Sequence, residues 1–99
     1  MSAIALAMDG DMTIVHAAAQ REQLLAAVQG APADQGFALD LAKVDGIDSA
    51  GLQLLVATQH SLQRNATPLG LRGSVPAVQD AIGVYGLQTL LPQDTGASA

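Results

Sequence analysis

Residues 39–56 read LDLAKVDGIDSAGLQLLV, an apolar run that gives way to a polar loop and then to a helix-forming sequence. The apolar part belongs to a short central strand over residues 36–41, GFALDL, bounded by Gly36 and by the polar stretch 43–49. Residues 50–64, AGLQLLVATQHSLQR, form a helix with Leu52, Leu55, Val56 and Leu62 on one face and Gln53 and His60 on another. Asn65 stops it. Between strand and helix the sequence Asp-Ser-Ala-Gly sets Ser49 at the N-cap, beside the free amides of Ala50, Gly51 and Leu52. Two readings share this geometry. Either Ser49 caps the helix with its hydroxyl, or the same exposed amides stabilise a phosphate carried on that hydroxyl. Gly51 removes bulk from the first turn, which would let another protein's active site approach Ser49.

Working outward, the same alternation continues on both sides. Residues 3–8 (AIALAM) and 12–16 (MTIVH) read as two strands of a hairpin, with Asp9, Gly10 and Asp11 as its turn. Residues 17–29 (AAAQREQLLAAVQ) are strong helix formers with Leu24, Ala27 and Val28 on one face, and Gly30 ends the helix. Downstream, residues 69–72 (LGLR) form a fourth strand, and Pro76 suits the first turn of a helix over 75–84 that Ser74 caps and Gly86 ends. Leu87, Leu90 and Leu91 make a short apolar segment, and residues 93–99 are a frayed tail. The order ββαβαβα predicts an α/β fold, a four-stranded mixed sheet covered by three to four helices, in a single domain over residues 1–92.

Composition narrows what such a domain can do. Of 99 residues 49% are hydrophobic and 13% charged, with 19 Ala and, as aromatics, only Phe37 and Tyr85, so the core is aliphatic. No cysteine is present for a disulfide or thiolate metal site. Four basic residues, Arg21, Lys43, Arg64 and Arg72, are scattered against nine acids, a net charge of -5, which excludes nucleic-acid binding and disfavours an anionic membrane surface. No apolar run approaches a spanning helix, so no membrane insertion and a cytoplasmic location are expected. His16 and His60 lack any second ligand at metal-binding spacing, and Asp9 and Asp11 lack the later ligands of a calcium loop. No metal, cofactor or catalytic residue is expected, and an enzyme is disfavoured.

The loop-and-helix signature LDLAKVDGIDSAGLQLL, with Asp-Ser-x-Gly at 48–51, resembles that of the STAS domains. GDMTIVHAAAQREQLLAAV at 10–28 looks like the second strand and first helix of small bacterial members, and LGLRGSVPAVQDAIGVYGL at 69–87 is similar to their fourth strand and third helix. The resemblance implies a non-enzymatic, anti-sigma-factor-antagonist-like or chemotaxis-associated interaction switch. Ser49 is then the phosphoacceptor of a partner serine kinase or anti-sigma factor of the histidine-kinase-like ATPase type. Asp45, Asp48, Ala50 and Gly51 form the motif loop around it, and Ile47, Leu54 and Ala57 face the partner. Leu54, Ala57 and Ser61 share a helix face opposite the core set, although Leu54 could instead pack under the third helix. The alternative within the family is the small cytoplasmic STAS subunit of a phospholipid-trafficking ABC transporter, bound to its ATPase. Where the sequence departs from many sigma-factor antagonists is the junction at 16–18, which here is His-Ala-Ala.

Overall fold

In the computed structural model, which describes residues 4–31, 36–87 and 91, the chain alternates strand and helix. The order is β1 (Ile4–Asp9), α1 (Ala17–Gln29), β2 (Phe37–Lys43), α2 (Ser49–Arg64), β3 (Leu69–Arg72) and α3 (Pro76–Val84). Helices α1 and α2 each return the chain to the start of the next strand, so the three strands lie parallel in the order β1-β2-β3. The central position expected for residues 36–41 is thus occupied by β2, pairing with β3 from Phe37↔Leu69 to Asp40↔Arg72. Phe37, Leu39 and Leu41 alternate onto one face of β2, with Leu69 and Leu71 beside them on β3. Against that face the helices bury Leu24, Leu52, Leu55, Leu62, Val78 and Ile82, with Leu91 closing the same core. Burying each such side chain stabilises by about 1.5–3 kcal/mol.

The expected hairpin does not form. Among the described residues there are three strands, and the mixed four-stranded sheet is replaced by a parallel one. At Gly10, whose φ of 84° needs no Cβ, the chain steps aside but keeps its direction. It then runs parallel to the end of β2 and the segment after it: Gly10 N donates to Lys43 O, Met12 N to Gly46 O at 2.9 Å, and Met12 bridges Ile47. The physical reason is burial. Continuing forward puts Met8 and Met12 together in the core, at the cost of leaving Ile14 and Val15 in an exposed turn before α1. Gln20, buried in the first turns of α1, fixes this arrangement by donating from Nε2 to Asp11 O at 2.8 Å.

Helix ends differ in detail. α3 begins at Pro76 with Val75 as its N-cap, and Ser74, expected to cap it, instead has its Oγ buried without a partner. Pro76 at the first position has no N–H to satisfy, which lowers the need for a side-chain cap. Asn65 ends α2 as expected. Leu90 and the tail at 93–99 lie outside the described residues.

Candidate functional site

The site lies where β1 and β2 end and α2 begins, at the carboxyl ends of parallel strands, the usual place for function in such sheets. Asp48 is its centre. It is extended (φ -117°, ψ -171°) and caps α2 by accepting from Gly51 N to Oδ1 at 3.1 Å. Its other oxygen, Oδ2, accepts from Ile14 N at 3.0 Å, and its own amide donates to Met12 O at 3.1 Å. These amides hold the carboxyl below its ordinary range, the Ile14 amide having the largest effect and the Gly51 amide the next.

The cap is therefore Asp48 rather than Ser49, which corrects the expectation from sequence. Ser49 is the first helical residue and is exposed. Both residue types cap well. Asp48 in that position also serves Ile14, because its two carboxylate oxygens are separate acceptors, one for each amide.

Gly51 also has a different role from the one its small size implied. A Cβ there would collide with the Met12 carbonyl oxygen and lie 2.7 Å from Ile47 Cγ1. Gly51 thus admits the chain's own neighbouring segment, and it is buried. Ala50 and Ile47 are half-buried, and Ile47 packs against the core from the bridge with Met12. Asp45 is exposed, whereas Asp40 turns back on its own strand and accepts from Ala42 N at 2.9 Å.

Farther along α2, Leu54 is half-buried and Ala57 exposed. Leu54 faces α1 rather than α3: with Ala57, Thr58 and Ser61 it lines one wall of a groove of about 210 Å³, opposite Arg21, Leu24, Leu25 and Val28. Sequence reasoning missed Met12, Ile14 and Val15 as part of the site. The signal is a β-branched run with no amphipathic helix or turn residue to claim it, a pattern that by itself reads as a strand.

Residues 1–92 match the family model described as Mlab, STAS domain. The chain is a STAS domain. Solved structures agree on the fold. A protein from Thermotoga maritima assigned as an anti-sigma factor antagonist superposes with a TM-score of 0.79 at 16% identity, over 99% of this chain and 86% of that one. SpoIIAA, an anti-sigma factor antagonist in its unphosphorylated form, gives 0.72 at 19% identity over 94% and 81%. A sulfate transporter family protein from Wolinella succinogenes gives 0.71 at 21% identity over 92% and 75%. None of the curated proteins matches the chain. Among the described residues of this STAS domain, no helix is long and apolar enough to cross a membrane, and no group of three His, Cys, Asp or Glu residues could hold a metal ion.

Proposed function

We propose that this STAS domain is a non-enzymatic protein-interaction module, anti-sigma-factor-antagonist-like or chemotaxis-associated, whose partner binding is set by phosphorylation of Ser49. The observation that carries the reading is the division of labour between neighbours. Because Asp48 caps α2, the exposed Ser49 hydroxyl is not consumed by capping. In the modification, Ser49 Oγ attacks the terminal phosphorus of a nucleoside triphosphate held by a partner kinase. The Oγ–P bond forms, the bond to the leaving diphosphate breaks, and the hydroxyl proton passes to a base on the kinase. The new group adds about -1.5 to -2 charge at the end of α2, where the helix dipole favours it, but beside Asp48, which repels it. A partner seated over Ile47, Ala50 and the first turns of α2 is then expelled by like charge and desolvation cost. The test is capture by wild type, Ser49→Ala and Ser49→Asp baits, with mass spectrometry of the protein isolated from its own cells. Expected are a phosphate on Ser49 and a partner recovered by wild type and Ser49→Ala but lost with Ser49→Asp; equal recovery by all three overturns the reading.

A second reading, permanent docking on a transporter ATPase, draws on the groove between α1 and α2. Ala57 lies about 12 Å along the helix from Ser49, beyond roughly one screening length at physiological salt. A partner held by Leu54 and Ala57 would sense a phosphate on Ser49 only weakly. Co-purification of an ATPase with all three baits in equal amount selects this reading.

A further inference from the structure

We infer that Asp48 couples Ser49 to the exposed turn that follows Met12, so that a phosphoryl group on Ser49 detaches Asp48 from Ile14 and frees the Ile14–Val15 pair. The inference rests on Ser49 being the phosphoacceptor and adds how its modification is passed to an apolar surface. Ile14 and Val15 are 72% and 83% exposed, two adjacent β-branched side chains presented side by side to solvent. The backbone on either side is tied down, by Met12 N to Gly46 O and by His16 N to Thr13 O at 3.0 Å. Between those ties, Ile14 N is held by one side chain, the Asp48 carboxylate. That carboxylate divides its two oxygens between segments far apart in sequence, Ile14 on one side and Gly51 on the other.

A phosphorylated Ser49, next in the chain and at the first helical position, acts on both arms. Its dianion competes for the amides at the start of α2 and repels the adjacent carboxylate. The arm to Ile14 is the one that leaves the helix, since it bridges to a turn distant in sequence, whereas the Gly51 amide stays beside the carboxylate within the same first turn. Losing it leaves the Ile14–Val15 turn held only by the backbone bonds of Met12 and His16, so a partner that grips the pair in an apolar pocket prefers the unmodified form.

Phosphoserine is placed at position 49 during translation, so the test needs no kinase and no partner, and a failed search for either leaves it intact. Amide hydrogen exchange is read by NMR in wild type, phosphoserine-49, Asp48→Asn, and the two changes together. Phosphoserine should speed exchange at Ile14 about tenfold, the size of one ordinary hydrogen bond, with Leu39 and Leu55 unchanged. Asp48→Asn has one acceptor oxygen where Asp48 has two, so it keeps the cap and should loosen Ile14 similarly. Phosphoserine should then add nothing further in the Asp48→Asn background. Unchanged Ile14 exchange in either single form, equal acceleration throughout the domain, or additive effects in the combination would each overturn the inference.

Discussion

At Gly51 two residue-level preferences oppose each other. Alanine is favoured over glycine inside a helix by about 1 kcal/mol, yet a Cβ at this position meets the Met12 carbonyl oxygen, a backbone atom that cannot swing away. Overpacking typically costs about 1–3 kcal/mol, so the clash prevails. Gly51→Ala is expected to lower stability in urea unfolding; a gain would mean that the Met12–Ile47 bridge is not formed in solution. Asp48 carries a second residue-scale prediction. Its carboxyl is held low in the folded state, chiefly by the Ile14 amide and then by the Gly51 amide, so its charge stabilises the fold above the unfolded value of about 3.9. That contribution is lost as pH falls through the lowered folded value. Asp48→Asn should therefore be less stable than wild type at neutral pH, with the gap closing in acid below about pH 4. A gap independent of pH would contradict the charge-based account.

Among the elements, what could be read from the sequence was whatever depends on local pattern. The helices at Ala17–Gln29, Ser49–Arg64 and Pro76–Val84 and the strands at Phe37–Lys43 and Leu69–Arg72 follow from periodicity and stop residues, to within a residue or two. Thr13, Ile14 and Val15 were illegible for a physical reason. A β-branched run looks the same whether it turns back on its neighbour or goes forward, and here the choice is made by Gly46 and Asp48, distant in sequence. The competition between Asp48 and Ser49 for the cap was decided the same way, through the bond to Ile14. Because the Ile14–Val15 turn is exposed, replacing both with serine should leave the thermal midpoint within about 2–3 °C of wild type. A loss comparable to that of a core substitution would place the pair inside. On α2, Ala57→Asp is the cleaner probe of the groove than Leu54→Asp, since Ala57 is exposed and Leu54 packs against the core. Ala57→Asp should fold normally by far-UV circular dichroism.

For the molecule as a whole, an aliphatic core is organised about one aromatic ring. Phe37, at 1% exposure, is the largest fully buried side chain and lies on the middle strand, in reach of both neighbours. Phe37→Ala should cost about 3–5 kcal/mol, a large share of the roughly 5–15 kcal/mol a domain of ordinary stability has. Phe37→Leu should cost far less. Tyr85, by contrast, is 58% exposed at the end of α3. Its fluorescence should change little as the core melts, so unfolding is to be followed by circular dichroism.

The forward course of the chain at Gly10 also bears on how the domain assembles. A hairpin would have offered an early, nearby pairing, but here Ile4 meets Ala38, and Phe37 meets Leu69, each only after a whole intervening helix has been laid down. Such pairings need closure of long loops before any reward, which raises contact order and slows folding. The first strand cannot find its place until the second has been made, so a nascent chain leaving the ribosome waits for residue 43 before its sheet can begin.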